Sequence, residues 1–390
     1  MGIAAWLVLV GAAGVLYLAG GYTLGLALVA RWRWRTDPRP LEAYTMYPPT
    51  HLTVFLPVAN EVDVIEDRLA NLFDTTFPSA RLDVVVGSDG STDGTLDAVA
   101  AFADRHPSLE VSWQRFPEGT GKHALQNWIA EHARGDVLVF TDAETRFTPE
   151  TLPALADALS DPHVGVAGGR VRFASRTGGS AFAAIYRAYR SLEDATRTLE
   201  TRLGLGCKTD GSCTAARRSL WCPLAPFEAE DQALALVAKR AGYATVHVPE
   251  AVAWDAANDT GRQEFGQRRR MTRKALRTFV HRWSWGAARS APGFTVAYVS
   301  HKILRFFLPV FAILLGAGLL LAAEAWAGPL LVGVTALLAG SAWAAGRREP
   351  ALRRVGLPYA VAVANAAYLA GIADALVGRV PSSYVPTRRL

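Results

Sequence analysis

From about residue 50 to residue 145 the chain alternates short apolar runs with amphipathic stretches. Leu52 to Val58 reads as a strand, Val62 to Phe73 as a helix, Asp83 to Gly87 as a strand and Asp93 to Arg105 as a helix. Val111 to Phe116 then reads as a strand, Gly121 to Arg134 as a helix and Val137 to Thr141 as a strand. This alternation predicts a mostly parallel sheet covered by helices. Ligands of such sheets bind beyond the carboxyl ends of the strands. Acidic residues fall there: Asp89 follows Val84 to Gly87, and Asp142 follows Val137 to Phe140. Asp and Gly are also ordinary turn formers at strand ends, so either position alone carries little.

Outside this region the pattern changes to long apolar runs. Ile3 to Ala30 and Phe306 to Ala323 hold no charged residue, and each matches the ~20 residues a helix needs to cross a ~30 Å hydrocarbon core. Leu330 to Ala345 and Pro358 to Val377 follow, the last interrupted by Asn365 and Asp374. One such run fits a buried soluble helix; four predict a membrane region. The first lacks a basic start, is too long for a signal peptide and has no small-residue cleavage site before Arg31, so it reads as a retained anchor. The expected organisation is a transmembrane helix over 1–31, a Trp/Arg/Pro-rich linker over 32–49, a soluble unit over 50–289 ending in basic interfacial helices, and a membrane region over 290–390 with about three apolar segments.

With 51% hydrophobic and 19% charged residues in 390, the chain has ample material for a core. Its net charge is +6, and only five of the 41 basic residues are lysine. Arginines cluster beside the apolar runs, at Arg31, Arg33 and Arg35, from Arg268 to Lys274, and at Arg347, Arg348, Arg353 and Arg354. Basic residues flanking spans mark the cytoplasmic side, a better account of this charge than nucleic-acid binding. The soluble unit is therefore expected in the cytoplasm, on a multi-pass protein of the inner membrane. Arg379, Arg388 and Arg389 also place the tail inside, which four strictly alternating spans do not allow. One late segment is expected to be re-entrant or interfacial, and Ser300 to Arg305 is amphipathic enough to lie in the interface. Cys207, Cys213 and Cys222 have neither Cys-x-x-Cys spacing nor a nearby His in sequence, and read as core or loop residues in a reducing compartment.

Two motifs carry candidate chemistry. Thr141-Asp142-Ala143-Glu144 ends an apolar strand with two carboxylates, hard oxygen ligands that suit Mg²⁺ or Mn²⁺; a solvated turn is the plain alternative. In Ser88-Asp89-Gly90-Ser91-Thr92-Asp93-Gly94-Thr95, Asp89 closes a strand, the glycines permit a tight turn, and Ser91 or Thr92 is placed to cap the next helix. Farther on, Glu230-Asp231 opens a helix expected over Gln232 to Ala241, where unpaired backbone N–H groups gather. Read from the residues alone, Asp231 is equally a helix-start carboxylate. Gln267 to Arg270 is likewise a basic helical face suited to anionic lipid.

Together these residues resemble the family-2 glycosyltransferases of the GT-A fold. The resemblance rests on Leu56-Pro57-Val58-Ala59-Asn60-Glu61, the Ser-Asp-Gly-Ser-Thr-Asp-Gly-Thr run, Gly121-Lys122 with Asn127, and Phe-Thr-Asp-Ala-Glu-Thr, in the family's order. It continues through Asp210-Gly211-Ser212, Glu230-Asp231 and Gln267-x-x-Arg270, and the flanking helices are similar to membrane-bound, exopolysaccharide-type members. It implies a nucleotide-sugar-binding α/β domain flanked by transmembrane helices, a lipid or glycan acceptor, and no nucleic acid. Pro57, Asn60, Glu61, Asp89, Lys122 and Asp142 would bind the donor, expected to be a UDP-sugar; Asp142 and Glu144 would hold Mg²⁺ or Mn²⁺. Gly211, Glu230, Gln267 and Arg270 would serve the acceptor and diphosphate, and Asp231 would be the base of a single, inverting displacement. Two positions depart from the pattern. Glu144 lengthens the second metal carboxylate by one methylene, and Met271 stands where processive polysaccharide synthases carry Trp. The second departure favours single-step lipid glycosyltransferases of the ceramide or polyprenyl-phosphate type as the alternative. A non-catalytic nucleotide-sugar-binding membrane protein is the reading from another class, opposed by the intact carboxylates.

Overall fold

The computed structural model describes residues 2–36, 48–174, 181–256, 260–322 and 356–378. Most of the expected linker, the apolar run Leu330 to Ala345, the arginines from Arg347 to Arg354 and those of the tail lie outside the described residues. The chain opens on α1 (Ile3–Leu16) and α2 (Tyr22–Thr36), which run through the π-turn Tyr17–Gly21. The α/β unit follows: β1 (Leu52–Val58), α3 (Val62–Phe73), β2 (Leu82–Asp89), α4 (Thr95–Arg105), β3 (Glu110–Phe116), α5 (Lys122–His132) and β4 (Val137–Phe140). Then come β5 (Arg146–Phe147), α6 (Thr151–Ala158), β6 (Val164–Ala174), α7 (Ala181–Arg202), β7 (Thr214–Arg217), α8 (Glu230–Arg240) and β8 (Ala244–Ala256). The chain closes with α9 (Gly261–Arg282), the short α10 (Trp285–Ser290) and α11 (Pro292–Ala297), α12 (Leu308–Ala322) and α13 (Gly356–Val377).

One eight-stranded sheet organises the α/β unit, in the order β3-β2-β1-β4-β7-β6-β8-β5. The first four strands are parallel, as the alternating pattern predicts. Beyond them the sheet is mixed: β7 runs antiparallel to both β4 and β6, while β6 and β8 are parallel. The four-residue β7 enters the sheet after α7 and is the strand that reverses direction between β4 and β6.

Alternation along β1 divides the core. Leu52, Val54, Leu56 and Val58 pack with Ile65, Leu69 and Leu72 of α3, Val99 and Phe102 of α4 and Leu155 of α6. Phe55 faces the other side, where Leu125 and Ile129 of α5 and Leu234 of α8 join Phe140. Each such fully buried side chain contributes roughly 1.5–3 kcal/mol. Because β2 and β3 lie on one side of β1 and β4 on the other, the connections diverge there. That switch point opens a crevice beyond the ends of β1, β2 and β4.

Two helices, Ile3–Arg33 and Pro292–Ala322, are long and apolar enough to cross a membrane. They pack against each other at glycines: a Cβ on Gly11 would lie 2.3 Å from the Leu315 backbone nitrogen, and one on Gly318 would lie 2.6 Å from that of Val8. Small residues of this kind let backbones approach closely. The remaining surface of both is apolar and open, with Ile3, Trp6, Leu16, Ile313 and Leu321 exposed. Ser300 to Arg305, expected to lie in the interface, is instead buried against the α/β unit at Ser300, His301, Lys302 and Ile303. In α13 the interrupting Asp374 is also buried, where Arg269 of α9 holds it through two hydrogen bonds of 2.6 and 2.8 Å. The apolar helix thus carries its acid as a clamp to the basic helix.

Candidate active site

The crevice is built first from two loops stitched together. Asn60, just past β1, adopts a left-handed backbone (φ 57°) that Asn tolerates better than most residues. Its N–H donates to Ser91 Oγ at 3.0 Å and its Oδ1 accepts from the Thr92 N–H at 2.9 Å. Ser91 and Thr92 therefore tie the loops to each other instead of capping α4. That end is held by Asp93, which accepts from the Thr95 and Val62 N–H groups. Gly90 is required twice over: its φ is 71°, and a Cβ there would meet the Glu118 backbone at 2.6 Å. Asp89, released at the end of β2, accepts from the Gly121 N–H at 3.2 Å and faces the crevice.

Asp142, Ala143 and Glu144 follow β4 and line the same cavity of ≈ 150 Å³ as Pro57, Glu61, Asp89, Lys122, Asp255, Gln267 and Arg270. The first residue of α5 sends Lys122 Nζ to Asp142 Oδ1 at 3.0 Å and to Glu230 Oε1 at 3.3 Å. Burial, then the neighbouring Glu144 and Asp142, push the Glu61 carboxyl up to about 7. Carboxylates crowded to that degree, all hard oxygen donors, fit a divalent cation held by Asp142 and Glu144. Asn60 and Glu230 sit behind the wall: Asn60 is committed to Thr92, and the buried Glu230 is held by Lys122 and Gln126. Gly211 abuts Glu230, since a Cβ there would stand 2.8 Å from Oε1.

A second cavity, of ≈ 270 Å³, adjoins the first and shares Lys122, Asp142, Asp255 and Gln267 with it. Asp231, in the first turn of α8, opens into it beside Gly211 and Met271. Burial raises its carboxyl, but the charge and hydrogen bond of Lys302, 2.8 Å away, together with the charge of Lys208, outweigh it, so Asp231 titrates below the usual carboxylate range. Gln267 and Arg270 stand one turn apart on α9, whose start is fixed by a Thr260–Gln263 capping box. Behind Arg270, burial pushes Lys274 down to about 8 despite the attraction of Glu230.

Comparison with known proteins places this geometry. Residues 53–221 match the family described as Glycosyl transferase family 2. Within the α/β unit, this stretch is a glycosyl transferase family 2 domain. An N-acetylglucosaminyltransferase of Rhizobium meliloti is 27% identical over 260 residues, 63% of this chain and 58% of its own. Glycosyltransferase AglE of Haloferax volcanii is 29% identical over 130 residues, 33% of this chain and 42% of its own. The chain thus spans about half the length of the curated relatives it matches. Among solved structures, mannosyltransferase PcManGT from Pyrobaculum calidifontis, in complex with GDP-Man and Mn²⁺, superposes with a TM-score of 0.66 at 25% identity, covering 94% of this chain and 99% of that one. The mixed sheet is accordingly a GT-A-like α/β fold.

Several residues that shape the two cavities escape a reading of sequence. Arg68, fully buried, donates to Thr141 Oγ1 at 2.7 Å and so pins the start of the Asp142 loop. The signal was a charged residue on the apolar face of α3, between Ile65 and Leu69. Lys302 and Asp255 carried no motif. Cys207 has a partner distant in sequence: His301, Glu200 and Cys207 form the one tight group of metal-ligand atoms among the described residues. His301 is engaged at both ring nitrogens, Nδ1 with Glu200 at 3.0 Å and Nε2 with Glu193 at 3.2 Å, so the group is a polar joint and not a metal centre.

Proposed function

We propose that the chain is an inverting glycosyltransferase that moves a sugar from a nucleotide-sugar donor to a lipid-linked or glycan acceptor at the cytoplasmic face of the inner membrane. The observation that carries this reading is the pair of adjoining cavities, with Asp89, Lys122, Asp142 and Glu144 on one and Asp231 on the other. Asp89 with Pro57 binds the nucleoside of the donor. Lys122 and Arg270 face the diphosphate, and a guanidinium braces two of its oxygens at once. Mg²⁺ or Mn²⁺ at Asp142 and Glu144 would neutralise the departing diphosphate. The acceptor hydroxyl attacks the anomeric carbon while its proton passes to a carboxylate oxygen of Asp231. The bond from that carbon to the diphosphate breaks with its electrons on the nucleotide. A UDP-sugar is the expected donor, and the mannosyltransferase bound to GDP-Man adds GDP-sugars to those worth offering. The exposed apolar faces of α1, α2 and α12 support burial of these helices in the bilayer.

The second reading, a single-step lipid glycosyltransferase, is favoured by Met271, which is 46% exposed and lines the cavity of Asp231. One experiment tests both. Membranes carrying the full chain are washed with alkaline carbonate, and the detergent-purified protein is offered UDP- and GDP-sugars with Mn²⁺ and lipid extract. The expected outcome is retention in the washed membrane and release of a nucleoside diphosphate; Asp231→Asn keeps donor binding and loses transfer by about 10²-fold or more. Transfer retained by the variant would move the base elsewhere, and no turnover with any donor would end the enzyme reading.

A further inference from the structure

Among the described residues, Lys122, Asp142, Asp255 and Gln267 border both cavities. A sugar in transfer has to lie where they stand. Its anomeric carbon is bonded to the diphosphate, which the first cavity takes, and is attacked by a hydroxyl whose proton passes to Asp231 in the second. Lys122 and Asp142, 3.0 Å apart, serve the diphosphate and its cation on that reading, which leaves Asp255 and Gln267 to face the sugar ring. Asp255 reaches this place through the alternation of β8. Ala251 and Ala253 are fully buried in the core, and Asp255 is the next residue on their face, where that face passes from the core into the cavities. On β6 it stands opposite Phe173, which lines the second cavity. On its other side, the pairing of Trp254 with Arg146 sets it beside the turn that the Thr145 N–H closes on the Asp142 carbonyl. Asp255 Oδ1 accepts from the Ala256 N–H at 2.7 Å, which fixes the half-buried carboxylate at the strand end. A carboxylate offers about four lone-pair sites, so it takes hydroxyl donors in addition to the partners it has in its own chain.

We propose that Asp255 determines which sugar is transferred: its carboxylate accepts hydroxyl groups of the donor sugar and suits the site to a neutral, polyhydroxylated sugar and not to a uronic acid. This rests on the glycosyltransferase reading and narrows its donor. Adjacent hydroxyls of a pyranose match the two oxygens of a carboxylate, and hydrogen bonds to an ionised acceptor are the stronger kind. A sugar without a hydroxyl at that point leaves the carboxylate short of a donor, which is how a polar site rejects an analogue. A uronic acid brings a second negative charge to Asp255, and like charges brought together select against the wrong ligand.

Binding and turnover by the detergent-purified full chain with Mn²⁺ test this, with hexoses, deoxyhexoses and hexuronates carried on UDP and on GDP as probes. Affinity for each nucleotide sugar is expressed relative to that for its bare nucleoside diphosphate, measured on the same samples. The unaltered protein is expected to turn over a neutral hexose donor at least about tenfold faster than the hexuronate on the same nucleotide. Asp255→Ala is expected to lower the relative affinity for the hexose donor by about tenfold while nucleoside diphosphate binding stays. Asp255→Asn, which keeps the shape and removes the charge, is expected to narrow the gap between hexose and hexuronate by about tenfold. Equal use of the hexuronate by the unaltered protein would overturn the neutral sugar. Relative affinities unchanged in both variants would overturn Asp255 as the group that meets it, also where all binding falls together. Absence of nucleotide binding in the unaltered protein would instead sink the glycosyltransferase reading.

Discussion

Single carboxylates set the site's response to pH and metal. Glu61 has its carboxyl raised from 4.5 to about 7, by burial first and then by Glu144 and Asp142. Between those values the folded chain holds a proton that the unfolded chain has released. Metal-free stability is therefore full below about pH 4.5 and is lost as pH rises toward 7, the slope following the difference in bound protons. A divalent cation at Asp142 and Glu144, as proposed, would reverse the crowding. The melting temperature is expected to fall from pH 5 to pH 8 without metal, to recover on adding Mn²⁺ at pH 8, and to fall less in Glu61→Gln; an equal fall in that variant would assign the effect to another group. At this scale the sequence exposed residues that follow a strand or open a helix, such as Asp89, Asp142 and Asp231. It hid those whose partner lies far along the chain: Lys302 stands 71 residues from Asp231, and His301 101 residues from Glu200.

At the scale of elements, the strands and helices of the first half were legible because their apolar periods are clean. β1 and α3 begin and end where the pattern puts them, and α5 and β4 differ by a residue or two at their ends. The antiparallel β7 was not legible, since Thr214–Arg217 is too short to show a period and its pairing is set by neighbours distant in sequence. The most consequential element contact also looked like an error of pattern. Arg68 breaks the apolar face of α3, yet its side chain reaches Thr141 at 2.7 Å, Asn71 at 2.5 Å and the face of Phe147 at 4.5 Å. Burial, and then Arg146, lower its guanidinium to about 9, so the helix bears a desolvation cost to fix the loop after β4. Arg68→Met removes that cost and the hydrogen bonds together. Stability is expected to change by only about 1–3 kcal/mol, because a methionine fills most of the space while Thr141 loses its donor. The concentration of Mn²⁺ needed for half-maximal transfer is expected to rise by about tenfold. An unchanged metal requirement would show that Asp142 and Glu144 hold their places without α3.

On the scale of the whole molecule, the sequence separates an α/β unit from apolar helices, whereas the structure joins them at the second cavity. Tyr22 of α2 donates to Glu200 of α7 at 2.7 Å, and the segment between α11 and α12 sets His301 on the same Glu200 and carries Lys302 and Arg305 into the wall of the second cavity. No hydropathy pattern reveals this, because an amphipathic stretch next to an apolar run reads the same against a lipid surface as against a buried carboxylate. On the proposed mechanism, this joint makes the apolar helices part of the proton chemistry. Asp231 is mostly buried, with 18% of its side chain exposed, and burial alone would raise its carboxyl; Lys302, with Lys208 behind it, reverses the sign. If Asp231 is the base, as proposed, it is ionised through the neutral range, and the acid limb of kcat/KM is expected at low pH. In Lys302→Met the ammonium is gone and burial becomes the larger influence, so the carboxyl titrates higher and the rate is lost at a higher pH as the medium is acidified. The limb is expected to move up by about one pH unit or more. A pH–rate profile on the detergent-purified full chain measures it, and a limb that stays in place would mean that the acceptor proton does not pass to Asp231.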